Sequence, residues 1–251
     1  MKPDYPATCD IPKLRKLWKL AFGDTEEFLD LFFSTAYAPD RCRCIRDDQE
    51  VAAALYWLDL DCQDQKFAYL YAVATDPAYR GKGLCRMLME DTAAVLAARG
   101  YDGAILVPQD EGLRVMYGKM GYLPATTLEE GFCAAAFPCP IAEISPEEYI
   151  RRRACLLPEG NPVPGKVALD FLTELARFYA GDDFLAAVSR EQEHLRILEY
   201  LGDRDKTSAL AAALGATEAT LRTPGQGTDF AMYRPLTARC RKPEYYPFAF
   251  D

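Results

Sequence analysis

An apolar segment that leads into a glycine turn is the feature that most constrains the fold of this chain. Residues 66–74, KFAYLYAVA, are almost entirely apolar, which is typical of a strand covered on both faces of a sheet. The turn Arg80-Gly81-Lys82-Gly83 follows it. Apolar residues then recur at helical spacing, at Leu84, Met87, Leu88 and Val95. This order of strand, glycine turn and helix predicts an α/β fold.

The glycines and cations of this turn favour an anion-binding function. Each glycine costs about 1 kcal/mol relative to alanine within a helix, so helix stability does not explain Gly81 and Gly83. The first-turn N–H groups of a helix have no intrahelical partner, and glycine allows a phosphate to approach the backbone closely. Arg80 and Lys82 can each pair with a phosphate oxygen. A solvated charge pair is the alternative, but it leaves the glycines unexplained.

The pattern of the first 137 residues predicts a mixed sheet with helices, in the order α-α-β-β-β-α-β-α-β. The stretch 10–23 is an amphipathic helix that ends near Gly23, and a second helix follows with Asp24 or Thr25 as its N-cap. Two strands flank the turn at residues 47–50 as a hairpin. Beyond the glycine turn and its helix, the sequence predicts a strand, a short helix and a closing strand.

The remainder of the chain resembles a worn copy of its beginning. Residues 28–58 align with 171–201, and residues 93–109 align with 209–226, which places Gly100 on Gly215. The copy has no counterpart of the glycine pair. Prolines interrupt regular structure near residue 138, so the sequence predicts domains at 1–137 and 138–251.

Composition excludes several classes of function. A net charge of −9 disfavours nonspecific nucleic-acid binding, which requires a basic surface. No run of 18 apolar residues spans a membrane, and the first residues lack a signal-peptide pattern, so we expect a cytoplasmic protein with reduced thiols. The nine cysteines are scattered and only one histidine, His194, is present, so we expect no metal site even though Cys42 and Cys44 share a strand face.

Two motifs, taken in order, resemble the GNAT superfamily of acyl-CoA-dependent N-acetyltransferases. The turn Arg80-Gly81-Lys82-Gly83-Leu84-Cys85 matches the acetyl-CoA motif [QR]-x-x-G-x-[GA] except at Cys85, and YGKMGY at residues 117–122 matches Y-x-K-x-G-[FY]. The resemblance implies a GNAT-type mixed, mostly antiparallel sheet flanked by helices. Residues 138–251 would form a second, smaller and degenerate GNAT-like half.

The resemblance also implies roles for individual residues. The loop from Arg80 to Cys85 would bind the pyrophosphate of acetyl-CoA, and the backbone of Val73 and Thr75 would bind its pantetheine arm. Tyr117 would protonate the departing CoA thiolate. A tyrosine on the apolar stripe Leu113, Met116, Tyr117 and Met120 is also what a helix core requires, and both roles are compatible. Asp110 stands where many members carry asparagine.

We therefore expect an N-acetyltransferase that moves an acetyl group from acetyl-CoA to a primary amine of a small molecule or peptide, by direct transfer in a ternary complex. A non-catalytic acyl-CoA binder or sensor is the alternative, and transfer from aminoacyl-tRNA is disfavoured by the intact loop and the acidic charge. Cys85 is expected to pack rather than act as a nucleophile. No general base is evident among Asp76, Asp110 and Glu111. The sequence does not decide whether Trp18, Phe22 and Phe32 form a wall of the acceptor site. It also does not decide whether the protein is a homodimer.

Overall fold

The structure is a computed structural model that describes residues 1–191 and 194–250. It is a mixed α/β fold with a mostly antiparallel arrangement of strands flanked by helices. In the described residues the helices are α1 Ile11–Phe22, α2 Glu26–Thr35, α3 Leu84–Ala98, α4 Glu111–Gly118, α5 Pro146–Leu156, α6 Lys166–Leu175 and α7 Thr207–Ala213. The strands are β1 Pro3–Asp4, β2 Cys42–Asp47, β3 Glu50–Cys62, β4 Gln65–Thr75, β5 Gly103–Leu106, β6 Leu123–Ala134, β7 Ala142–Ile144, β8 Val163–Pro164, β9 Arg177–Ala180, β10 Phe184–Glu191, β11 His194–Gly202, β12 Glu218–Pro224 and β13 Thr228–Pro235.

Two compact units are interleaved along the chain. The first comprises Met1–Leu123, Pro164–Phe171 and Met232–Lys242, and the second comprises Pro124–Val163, Leu172–Ala231 and Pro243–Asp251. The predicted boundary between domains 1–137 and 138–251, which is based on the sequence repeat, stays a prediction. The compact units do not follow it, because the closing strand β6 lies largely in the second unit and the chain returns to the first unit at Met232.

In the first unit, β1, β2, β3 and β4 pair antiparallel in that order, and β5 pairs parallel with β4. Residues Met232–Pro235 of β13 then pair antiparallel with β5. Helix α3, with Leu84, Leu88 and Leu96, packs in a core together with apolar residues of β3, β4 and β5. The strand beside β5 is therefore supplied by the end of the chain.

The second unit repeats the same pairing pattern. Strands β7, β9, β10 and β11 pair antiparallel, β12 pairs parallel with β11, and β6 pairs antiparallel with β12. Gly100 and Gly215 follow α3 and α7 with φ of 80° and 71°, as the second aligned sequence block predicts. The first block is wrong, because it places β2 and β3 on β10 and β11, whose counterparts in strand order are β3 and β4. Part of the turn it aligns, residues 192–193, lies outside the described residues.

The first two helices form where the sequence predicts. Helix α1 ends at Gly23, which has φ of 78° and donates its N–H to the Lys19 carbonyl oxygen at 2.9 Å. The hydroxyl of Thr25 caps α2 by accepting from the Phe28 N–H at 3.2 Å, so Thr25 rather than Asp24 is the N-cap. The Asp24 carboxylate instead accepts from the Trp18 indole at 2.7 Å.

A buried carboxylate fastens the returning segment of the first unit to the start of β5. The Asp102 carboxylate accepts from Arg239 through Nε at 2.5 Å and Nη2 at 2.9 Å, from the Thr237 hydroxyl at 2.9 Å and from the Lys66 N–H at 3.0 Å. Its backbone carbonyl also accepts from the Leu236 N–H at 2.8 Å. The hydrogen bonds from Arg239, together with those from Lys66 and Thr237, hold the pKa of Asp102 below its ordinary value.

Candidate cofactor and acyl-transfer site

The strand that precedes the glycine turn separates from its parallel neighbour before it ends. The ladder between β4 and β5 covers only Phe67–Tyr69 and Gly103–Ile105, whereas β4 continues to Thr75. In the pairing with β3, a bulge interrupts β4 between Tyr71 and Ala74. Ala72 lies in this bulge with φ of 47°, an unfavourable conformation for a residue with a side chain. Val73 and Thr75 therefore lie beyond the parallel ladder, where a ligand can approach the strand.

The connection from β4 to the glycine turn is held by local hydrogen bonds. The Asp76 carboxylate accepts from the Ala78 N–H at 2.8 Å and caps a short 3₁₀ turn at Pro77–Tyr79. The Arg80 Nε donates to the Thr75 carbonyl oxygen at 3.3 Å. These contacts fix the position of the glycine turn relative to the end of β4.

Both glycines of the turn have the left-handed conformation that their sequence position implies. Gly81 and Gly83 each have φ of 76°, and apart from the glycine and its chain neighbours no heavy atom lies within 4 Å of where a Cβ would stand. Helix α3 begins directly after Gly83, which provides no side-chain cap for its first turn. The first turn of α3 thus has no side-chain cap from Gly83, and the Cβ positions of both glycines before it are open, as an anion bound at this helix start requires.

The charges of the turn are at the surface beside this helix start. Arg80 and Lys82 are exposed, and the Lys82 ammonium lies 4.6 Å from the centre of the Tyr79 ring. A cation over an aromatic face is held loosely, by about 0.5–1 kcal/mol at an exposed site. The Lys82 ammonium can therefore turn toward a phosphate at the helix N-terminus, and the exposed Arg80 guanidinium lies beside it in the same turn.

The first turns of α3 anchor the site in the core. Leu84 and Leu88 are buried, and Cys85 and Val95 are partly buried. The prediction that Met87 belongs to the buried stripe is wrong, since Met87 is 41% exposed. Burial raises the pKa of the Cys85 thiol, which makes it a poor nucleophile at neutral pH.

Tyr117 of α4 is a core residue, as its apolar stripe predicts. It is 6% exposed and packs edge-on against Tyr122, with 5.8 Å between ring centres. Burial raises the pKa of Tyr117 above the ordinary value, and the nearby Cys85 thiol and Asp110 carboxylate raise it further. Tyr117 is thus close enough to Cys85, at the start of α3, to interact with it electrostatically. Its hydroxyl stays protonated at neutral pH, as a proton donor must.

The three carboxylates considered as bases have structural partners. Asp76 caps the 3₁₀ turn, and Asp110 caps α4 by accepting from the Leu113 N–H at 2.7 Å. Glu111 pairs with Arg114 at 3.5 Å on the surface. Each of these carboxylates therefore has a structural role of its own.

The proposed acceptor aromatics serve mainly as core. Trp18 and Phe32 are buried, with 4.6 Å between their ring centres, whereas Phe22 is 38% exposed. Phe171 of α6 joins this cluster at 5.6 Å from Phe32. Sequence reasoning missed both Phe171 and the Ala72 bulge. Phe171 lies in the part of the chain assigned to the second domain, and an alanine carries no signal for a positive φ.

Other sequence-level candidates lie elsewhere in the fold. The Nε2 atom of His194, on β11, lies 3.2 Å from the Thr220 hydroxyl oxygen. Cys42 and Cys44 are buried on β2, and burial raises the pKa of Cys44 to about 11. Over residues 1–191 and 194–250, no group of three or more metal-ligating side chains is found. None of the helices described is long and apolar enough to cross a membrane.

Comparisons with known proteins agree with this geometry. Residues 5–125 match the family profile described as "Acetyltransferase (GNAT) domain". A GCN5-related N-acetyltransferase from Anabaena variabilis superposes with a TM-score of 0.69 at 16% identity, over 94% of this chain and 73% of that one. The corresponding protein from Kribbella flavida gives 0.67 at 15% identity, over 93% and 70%.

A GCN5-related N-acetyltransferase from Sphaerobacter thermophilus matches over 97% of this chain and 96% of that one, with a TM-score of 0.56 and 14% identity. At such identities these likenesses concern the fold. A search among curated proteins gave no significant match. The family profile leads to one assignment: residues 5–125 of this chain form an acetyltransferase domain of the GNAT superfamily.

Proposed function

We propose that this protein is an N-acetyltransferase that transfers an acetyl group from acetyl-CoA to a primary amine of a small molecule or peptide. The observation that carries the proposal is the pair of left-handed glycines, Gly81 and Gly83, whose Cβ positions are open and which directly precede the uncapped N-terminus of α3. This arrangement fits a pyrophosphate, because side chains at either position would occupy the space that it needs.

The residues around the turn fit the rest of the cofactor. Backbone N–H groups from Gly81 to Cys85 would bind phosphate oxygens, and the Arg80 and Lys82 side chains would neutralise their charge. Beyond its parallel ladder, β4 offers the backbone of Val73 and Thr75 to the amide groups of pantetheine. The bulge at Ala72 supports this role, since backbone strain of this kind is concentrated at functional sites.

Tyr117 is the proposed general acid. Its raised pKa keeps it protonated over the range in which amines react, and Cys85 lies in its electrostatic environment at the cofactor turn. The Cys85 thiol is too weakly acidic to form an acyl-enzyme, which supports direct transfer within a ternary complex. Acetyl-CoA as cosubstrate agrees with the structural neighbours described as N-acetyltransferases. A cytoplasmic location and a homodimer remain predictions from sequence.

Calorimetric titration with acetyl-CoA tests the proposal. We expect binding by the unmodified protein and its loss in the Gly81→Glu/Gly83→Glu variant, because two carboxylates would face the phosphates. Gly100→Glu is the matched control. Gly100 ends the same helix with φ of 80° and has nothing within 4 Å of a Cβ, so this variant adds similar strain and a like charge away from the cofactor. Equal binding by all three proteins, or no binding by any, would overturn the proposal.

A non-catalytic acyl-CoA binder is the second candidate. It is favoured by one observation: Asp76 and Asp110, two of the carboxylates considered as bases, each serve as a cap that accepts a backbone N–H. Single-turnover acetylation of a panel of primary amines distinguishes the two. Acetyl-CoA binding without any acetylated amine would support the binder.

A further inference from the structure

Arg86 is held beside the glycine turn by a contact with the end of α4. Its guanidinium Nη1 donates to the Lys119 carbonyl oxygen at 3.2 Å. Arg86 lies in the first turn of α3, just after Gly83, and Lys119 directly follows α4 as its C-cap residue. Both residues are exposed. The start of α3 and the end of α4 therefore bring two further cationic residues close to the turn that contains Arg80 and Lys82.

The cationic residues around the turn are alike in having no carboxylate partner within residues 1–191 and 194–250. They are Arg80, Lys82, Arg86 and Lys119. Arg80 and Arg86 donate to backbone carbonyl oxygens, and Lys82 lies over a tyrosine ring. Glu90, one turn beyond Arg86 on α3, pairs with Arg234 at 2.7 Å, and this hydrogen bond lowers the pKa of Glu90 more than Arg86 does. The positive charges at the turn are therefore available to an anionic ligand.

Acetyl-CoA carries more negative charge than its pyrophosphate alone. The proposed function assigns the pyrophosphate to the N-terminus of α3, Arg80 and Lys82. The ribose of CoA also carries a phosphate monoester on its 3′ oxygen, with a charge of about −1.5 to −2 at pH 7. Because this ribose is joined directly to the pyrophosphate, binding at the turn brings the 3′-phosphate close to the residues beside the turn. Arg86 and Lys119 have that position.

A structural role accounts for only part of what Arg86 can do. A cation at the end of a helix interacts favourably with the last carbonyl groups, so Arg86 stabilises the C-terminus of α4. A guanidinium has five N–H donors, however, and this contact uses one of them. The same contact restricts the side chain before a ligand arrives, so less conformational entropy is lost when it binds a phosphate.

We propose that Arg86 and Lys119 bind the 3′-phosphate of acetyl-CoA and make the protein selective for CoA thioesters over those of 3′-dephospho-CoA. The inference rests on the proposed function, because it concerns the same cofactor. The guanidinium can form paired hydrogen bonds to phosphate oxygens, and the ammonium adds a point charge. Both cations also favour the approach of a highly charged anion to a protein whose net charge is −9.

Calorimetric titration with acetyl-CoA and with acetyl-3′-dephospho-CoA tests this proposal. We expect the unmodified protein to bind acetyl-CoA at least tenfold more tightly, because the second ligand lacks the charge-assisted hydrogen bonds of the 3′-phosphate. Arg86→Gln and Lys119→Gln should each weaken acetyl-CoA binding about fivefold and leave binding of the dephospho ligand unchanged. In the double variant the two ligands should bind about equally.

Lys242→Gln is the matched control, since it removes the same charge at an exposed residue. The preceding residue, Arg241, donates its N–H to the Gln65 side chain at the start of β4, whereas the glycine turn follows the other end of this strand. We expect the control to bind both ligands as the unmodified protein does.

The possible results separate this inference from the proposed function. Equal affinities of the unmodified protein for the two ligands would overturn the inference and leave the acetyltransferase proposal intact. An equal loss for both ligands in Arg86→Gln and Lys119→Gln would mean that the residues act only through the local structure, which also contradicts the inference. Full selectivity in the double variant would exclude these two residues. If acetyl-CoA does not bind at all, the proposed function fails and the inference fails with it.

Discussion

The Asp102 clamp allows the stability of the first unit to be predicted from its contacts. Replacing Asp102 with alanine removes the acceptor for Lys66, Thr237 and Arg239 at a carboxylate that is 0% exposed. A hydrogen bond to a charged group contributes about 1.5–3 kcal/mol, and two of the donors, the Lys66 N–H and the Thr237 hydroxyl, make such bonds here. The Arg239 side chain is 64% exposed, so solvent screens its ion pair and the pair adds little to stability. We expect Asp102→Ala to lower the free energy of unfolding by about 3 kcal/mol, at the low end because water replaces some contacts.

Urea denaturation followed by circular dichroism measures this loss from the midpoint and slope of the transition. Arg239→Gln is the matched control, and we expect it to lower the free energy of unfolding far less than Asp102→Ala does, since it removes only the exposed partner. Arg239 and its neighbours lower the pKa of Asp102 in the folded protein. The stabilisation by the Asp102 carboxylate is therefore fully present above its pKa in the unfolded chain, about 3.9, and is lost as the pH falls through its lower pKa in the folded protein. The difference between the unmodified protein and Asp102→Ala should therefore shrink below about pH 4. Equal losses in the two variants at neutral pH would refute the reasoning.

Three further predictions follow from the site and the interleaved units. Tyr117→Phe should lower kcat for amine acetylation about 100-fold with unchanged acetyl-CoA affinity, because it removes the proton donor but keeps the ring. Steady-state kinetics measures kcat and calorimetry measures the affinity, with Tyr122→Phe as the control. Since burial raises the pKa of Tyr117, its ionisation should cause no fall of kcat up to about pH 10, and a decline near pH 8 that is absent in Tyr117→Phe would contradict this. A chain of residues 1–137 should fail to fold cooperatively, because it lacks Met232–Pro235 beside β5; a sharp urea transition with dispersed NMR signals would contradict this.

The candidate site could be predicted from the sequence because the patterns that identify it are short and local. Gly81 and Gly83 are needed for a backbone conformation that other residues avoid, and the apolar run before them identifies a buried strand. The cap at Thr25 and the helix end at Gly23 follow from the same short-range rules. The bulge at Ala72 could not be predicted, because its positive φ is imposed by pairing with β3 and not by the residue itself. The exposure of Met87 likewise depends on what packs around α3, which helical spacing does not specify.

The interleaving of the units could not be predicted, for a different reason. Both β6 and β13 follow a helix–strand unit in the chain, so the order of elements alone allows either one to lie beside β5. Sequence proximity favours β6 beside β5, since a single chain would then close its first domain before starting the second. The structure has the opposite pairing: β12 takes β6, and β5 takes the end of β13. What distinguishes the two arrangements is the segment after β13, where Thr237 and Arg239 reach the buried Asp102. Pro138 and Pro140 follow β6, whereas Thr237 and Arg239 follow β13 and satisfy the buried Asp102 carboxylate, so the contacts of that segment stabilise the pairing in which β13 lies beside β5.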